Sequence, residues 1–144
     1  MSPDHAVSIL LVDGDDESRT YFAERLRQCS SDYIIFQAER RRGLEMYETV
    51  SVDCVVLELH LPDTSGFELL VDLVPVASHP EVGVVVLTRL NNPSLLNIAL
   101  KNGAQGVLQK SMTSGDVLDK AILKAISAVT AEKKKQTRNL RSLD

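Results

Sequence analysis

Three features of the sequence predict an α/β fold, a parallel sheet with helices on both faces. Strand-like and helix-like stretches alternate five times with short connections, the pattern of repeated βα units. Three of the strand-like stretches (VSILLV, CVVL and VGVVVL) are near-continuous apolar runs rich in β-branched residues. Such runs suit strands buried on both faces. Polar residues follow the runs at their C-terminal ends: Asp13, Glu58, Thr88 and, after a weaker fifth run, Lys110. In a doubly wound parallel sheet those ends share one edge, where ligands bind.

The elements follow in order. Val7 to Val12 reads as the first strand. Asp13-Gly14-Asp15-Asp16-Glu17 leads into a helix with Tyr21, Phe22, Leu26 and Cys29 at helical spacing. Ser18 or Asp16 is its expected cap, and acids in the first turn suit the helix dipole. Tyr33 to Phe36 reads as the second strand, and Arg40 to Val50 as a helix with Leu44, Tyr47 and Val50 inward. Arg40-Arg41-Arg42 reads as a solvated helix start rather than an anion site. The third strand, Cys54 to Leu57, ends at Glu58, and Pro62 and Gly66 punctuate the loop beyond it. Ser65 to Val76 reads as a helix with Phe67, Leu70, Leu73 and Val74 apolar. Val82 to Leu87 is the fourth strand, ending in Thr88. Asn91-Asn92-Pro93-Ser94 opens a helix that Gly103 closes. Ala104 to Gln109 is the fifth strand, ending in Lys110. Ser114 or Asp116 caps the last helix, whose apolar positions are Val117, Leu118, Ala121, Ile122, Ala125, Ile126 and Val129.

A chain of 144 residues suits one domain with a substantial core. Residues 131–144 hold five basic and two acidic residues, a net +3, which leaves −7 for the rest of a chain whose net charge is −4. An acidic body argues against direct nucleic-acid binding. Cys29 and Cys54 form no metal or redox spacing, so a reducing cytoplasm is expected, with Cys54 a small buried hydrophobe. No apolar run approaches bilayer length. His5, His60 and His79 show no ligand spacing, and neither a phosphate-binding glycine loop nor a nucleophile–histidine pairing is present. Two carboxylates, a hydroxyl and an ammonium at one edge suit a hard divalent cation such as Mg²⁺ and the oxygens of a phosphoryl group.

Four stretches stand in a telling order and spacing: Ile9-Leu10-Leu11-Val12-Asp13, Leu61-Pro62-Asp63-Thr64-Ser65-Gly66-Phe67-Glu68-Leu69-Leu70, Val86-Leu87-Thr88, and Gly103-Ala104-Gln105-Gly106 leading to Lys110. Through them, from about Val7 to Val129, the chain resembles the receiver domain of two-component response regulators. The resemblance implies a flavodoxin-like (βα)5 fold with strand order 2-1-3-4-5. It implies a histidine kinase as phosphoryl donor, an acceptor at the position of Glu58, and Thr88 and Lys110 as phosphoryl contacts. It implies Mg²⁺ held by Asp13, Glu58 and the His60 backbone. It also implies a module that is not an enzyme acting on a separate substrate.

The sequence departs from the family pattern at the site itself. Glu58 replaces the acceptor aspartate, Gly14 replaces the second acid of the pair after strand one, and Arg89 follows Thr88 where a small residue is usual. Val107 takes the aromatic switch position, and Ser111 replaces the proline after Lys110, so no cis bond is expected there. One extra methylene moves the Glu58 carboxylate by about a bond length, and losing the Gly14 carboxylate weakens a Mg²⁺ site. An atypical receiver acting through protein contacts is therefore expected. Glu58 then either stands in for a phosphorylated aspartate, with Lys110 or Arg89 as charge partner, or is an inactivating replacement. The alternatives are a working Mg²⁺-dependent phosphoacceptor with Asp15 as the missing acid, and, ranked far below, a flavodoxin-like nucleotide or flavin binder.

Expected partners are a histidine kinase or other signalling domain and a second copy. The resemblance implies a contact face on the fourth helix, fifth strand and fifth helix, which many receivers use to dimerise, with Asn91, Asn92, Leu95, Leu96 and Ala99 as candidates and one of the two leucines exposed. The receiver is expected over residues 1–130, and 131–144 as a basic extension towards a downstream output domain. Leu118, Ile122, Ala125, Val129, Glu132, Gln136, Leu140 and Leu143 follow a rough 3–4 spacing, which fits a coiled-coil-like helix; a frayed basic tail is the alternative.

Overall fold

The computed structural model of the chain describes residues 6–39, 42–61 and 65–141. Five strands, β1 (Val7–Val12), β2 (Tyr33–Ala38), β3 (Cys54–Leu57), β4 (Gly83–Thr88) and β5 (Gly106–Gln109), pair in parallel in the order 2-1-3-4-5. The helices are α1 (Asp16–Cys29), α2 (Arg42–Thr49), α3 (Gly66–Leu73), α4 (Pro93–Lys101) and α5 (Gly115–Arg141). This is the flavodoxin-like doubly wound sheet that the sequence predicts.

Strand alternation sorts the apolar residues into two cores. Leu10, Val12, Val55, Leu57, Val84 and Val86 pack with α2, α3 and α4 through Leu44, Leu69, Leu70, Leu73 and Ala99. Ile9, Leu11, Cys54, Val56, Val85 and Leu87 pack with α1 and α5 through Phe22, Leu26, Leu118, Ile122 and Ala125. The unbroken apolar runs are thus strands covered on both sides.

Several local readings change. Asp15, rather than Ser18 or Asp16, caps α1: its side chain accepts from the Ser18 N–H at 3.2 Å, while Asp16 already lies inside the helix and pairs with Arg19. α3 stops at Leu73 instead of Val76, because Pro75 disfavours helical backbone at Val74 and has no N–H to continue the ladder. Arg40 and Arg41 lie outside the described residues, and α2 ends at Thr49. Ser114 caps α5 by accepting from the Val117 N–H at 3.2 Å. Asn92 caps α4, with Pro93 at the first turn. Gly103 follows the end of that helix at φ 104°, a left-handed conformation that glycine adopts without strain.

The expected contact face changes too. Ala99 is fully buried in the core, Leu96 packs against that core, and neither Leu95 nor Leu96 is exposed. The exposed apolar residues of α4 are Ile98 and Leu100, one on either side of Ala99.

Cys54 is fully buried, and burial pushes its thiol up to about 12. A raised folded value means that its stabilising contribution is complete below the unfolded value of about 8.5 and is lost as pH rises through the folded one. Denaturant stability is therefore expected to begin falling above about pH 8.5, with Cys29, whose thiol is also raised by burial and by the nearby Asp119 and Asp116, contributing from the same starting value and Tyr33 and Tyr47 from a higher one. Cys54→Ala is expected to make that fall shallower; an unchanged alkaline profile in the variant contradicts the assignment.

Candidate functional site

The C-terminal ends of β1, β3, β4 and β5 converge as the sequence predicts. Asp13 follows β1, Glu58 follows β3, Thr88 ends β4, and Lys110 follows β5 in a single 3₁₀ turn, Lys110–Met112. Together with Gly14, Asp15, His60 and Arg89, three of these residues (Asp13, Glu58 and Lys110) line an open cavity of about 220 Å³. Asp13, Glu58 and Thr88 are all buried.

Lys110 binds the edge together. Its Nζ lies 2.7 Å from Asp13 Oδ2 and 3.1 Å from Glu58 Oε1. Glu58 also receives two backbone donors: the Arg89 N–H reaches Oε1 at 3.1 Å, and the His60 N–H reaches Oε2 at 3.2 Å. Both of its oxygens are thus engaged by the chain itself. Charge-assisted bonds of this kind hold a buried carboxylate that would otherwise be costly. Asp13 is held in the same way, accepting from the Asp15 N–H on Oδ1 at 2.9 Å.

Arg19 is a site residue that sequence reasoning misses, although its i,i+3 spacing from Asp16 is visible. Its guanidinium donates to the Asp13 carbonyl at 2.7 Å, to Gln37 Oε1 at 3.2 Å and to Asp16 Oδ1 at 2.6 Å. It thereby ties the end of β1 to β2 and to the first turn of α1.

The other predicted residues take different places. Thr88 is fully buried, and its hydroxyl accepts from the Leu90 N–H at 3.1 Å. The sequence suggests that Arg89 pairs with Glu58 through its side chain; the contact is made by its backbone N–H, while its exposed guanidinium forms no ion pair among the described residues. His60 reaches Glu58 through its backbone and leaves its ring exposed. Val107 pairs with Val86 and packs against the core beneath α2–α4. Asp15, the expected substitute acid, spends one carboxylate oxygen capping α1. The Lys110–Ser111 bond is trans.

A Mg²⁺ ion needs several oxygen ligands and strong negative charge. Here Gly14 contributes no carboxylate, and the Lys110 ammonium already stands between the two acids. Among the described residues, no three of His, Cys, Asp and Glu are gathered for a metal. The donor set is weaker than the family pattern supplies, and Asp13 and Glu58, with Asp15 on the same cavity, are the residues that would hold a divalent cation.

The sequence model of the response regulator receiver domain matches residues 9–122. The chain belongs to this family. It is 29% identical over 119 residues to the nitrate/nitrite response regulator protein NarL of Escherichia coli, covering 82% of this chain and 54% of that protein. It is 28% identical over 117 residues to the two-component response regulator ORR3 of Oryza sativa, covering 80% of this chain and 88% of that protein. The receiver therefore spans about half the length of NarL and most of ORR3. The crystal structure of a response regulator receiver domain protein from Clostridium thermocellum superposes with a TM-score of 0.76 at 23% identity, over 87% of this chain and 98% of that one. Among the described residues of the receiver, no helix is long and apolar enough to cross a membrane.

Proposed function

We propose that this receiver of the two-component family is atypical: it signals through protein contacts, with the charge at its acceptor edge balanced internally rather than by phosphoryl transfer. One observation carries this reading, the Lys110 ammonium held within 3.1 Å of Glu58 and 2.7 Å of Asp13. Accepting a phosphoryl group would require a Glu58 oxygen to attack phosphorus while a cation neutralises the incoming charge. The oxygens of Glu58 are occupied by Lys110 and two backbone N–H groups, and the donor set lacks a second acid at Gly14. In this reading Glu58 stands in for a modified aspartate, and Lys110 is its partner.

The domain then works as a non-enzymatic docking module in the cytoplasm. Its partners are a histidine kinase or another signalling domain, a second copy, and an output domain joined through α5. On and just before α4, the candidate contact residues are the exposed Asn91, Asn92, Ile98 and Leu100. The basic segment after Thr130 serves as the helical connection.

Intact-mass spectrometry after incubation with Mg²⁺ and acetyl phosphate tests the reading, beside a Glu58→Asp variant. The natural chain is expected to gain no phosphoryl group. A gain in the variant alone places the block at the extra methylene; none in either places it at Gly14 and Arg89 as well. A phosphoryl group on Glu58 itself overturns the proposal in favour of a working phosphoacceptor.

A further inference from the structure

The C-terminal helix continues well beyond its last buried residue. Leu118, Ile122, Ala125 and Val129 form its core stripe, and α5 then runs on to Arg141, about three further turns. Glu132 and Gln136 follow Val129 at spacings of three and four, so they continue the side that faces the body. Both are partly buried.

What they face is the segment between α3 and β4. Gln136 Nε2 lies 2.7 Å from His79 Nδ1 and donates to Glu132 Oε1 at 3.4 Å. Glu132 Oε1 is 3.8 Å from the same ring nitrogen. One residue on from Glu132, Lys133 Nζ approaches Glu81 Oε2 at 3.9 Å. His79 is itself placed by its backbone N–H, which donates to the Val76 carbonyl at 2.9 Å. The two positions that interrupt the apolar spacing of the tail are thus contacts within the chain.

Each contact alone is weak, because exposed pairs contribute little to global stability. Three of them on one helix side, against one short segment, act instead on how the helix end is held. We propose that the 74–82 segment is a strap on the end of α5. While His79 and Glu81 hold Gln136, Glu132 and Lys133, the last turns move with the body; release frees them. The strap precedes β4, at the opposite edge of the sheet from Thr88 and Glu58. Its release loosens the last turns of α5 without any change at the acceptor position. The strap does not rest on the proposed function and stands even if Glu58 is phosphorylated.

Hydrogen exchange on the full chain, read peptide by peptide, tests it with His79→Ala and Gln136→Ala. The first variant leaves the helix sequence untouched. The second raises intrinsic helix propensity, so a faster exchange cannot come from a poorer helix former. Both are expected to speed exchange of residues 131–141 by about threefold or more, the effect of losing a side-chain hydrogen bond of ordinary strength, with β1, β3 and β4 unchanged. Unchanged or slower exchange in 131–141 in either variant overturns the strap, as does exchange at the unprotected rate in the natural chain.

Discussion

Replacing Gly66 by alanine is expected to destabilise the domain by about 3 kcal/mol or more and to lower its melting temperature by roughly 10 °C. Gly66 opens α3 where the chain returns under the end of β3, and its N–H donates to the Leu59 carbonyl at 2.9 Å. A Cβ built there would lie 2.4 Å from Leu59 Cα and 2.5 Å from the Glu58 carbonyl oxygen. Both neighbours are backbone, so no side-chain rotation relieves the clash. Either α3 moves away from the sheet, exposing Leu69 and Leu70, or the loop carrying Glu58 shifts. A thermal melt followed by circular dichroism reads the effect. A melting temperature within a few degrees of the natural chain would mean that the return of the chain under Glu58 is loosely packed. Glycine is required here for close approach and not for a left-handed backbone, since Gly103 alone among the described residues takes a positive φ.

The fold is legible because its information is local. Buried parallel strands write themselves as runs such as Cys54–Leu57, and the helices between them carry apolar residues at helical spacing. Strand ends and helix ends are harder, since they depend on competition between neighbours. Asp15 outcompetes Ser18 and Asp16 as the cap of α1 because Asp16 is drawn to Arg19. Ala99 falls to the core and Ile98 and Leu100 to solvent because α4 is rotated by its seat on β5 and β4, which no residue in α4 specifies alone. At the site, the residue types at the strand ends name the participants, and their hydrogen bonds do not follow from type. Arg89 looks like a side-chain partner for Glu58 and contributes its backbone instead. Arg19 looks like a solvated helix residue and braces the end of β1. The polar pair Glu132 and Gln136 reads as flaws in an apolar stripe, because their partner His79 lies 57 residues from Gln136 in the sequence.

Replacing Lys110 by methionine is expected to cost about 3 kcal/mol at neutral pH. Methionine keeps most of the side-chain length and removes the charge. Glu58 is then left 2% exposed with no cationic partner, and the side chain of Asp13, at 11% exposure, loses its own. The Lys110 side chain is itself only 14% exposed, so solvent does little to replace the lost pairing. The cost comes from stranding buried charge rather than from the strength of the pair, so it must depend on Glu58. Glu58→Gln alone is expected to cost about 1 kcal/mol, because Lys110 keeps Asp13 and the amide oxygen still accepts a backbone N–H. In that background Lys110→Met is expected to cost about 1 kcal/mol as well, leaving a coupling of about 2 kcal/mol between the two residues. Urea unfolding of the four proteins measures the cycle. If Lys110→Met costs the same in the natural chain and in the Glu58→Gln background, Lys110 does not hold Glu58, and the internal charge balance on which the atypical reading rests is lost. If the coupling is found, Lys110 is the charge partner that keeps Glu58 ionised in its buried place, as the internal charge balance requires.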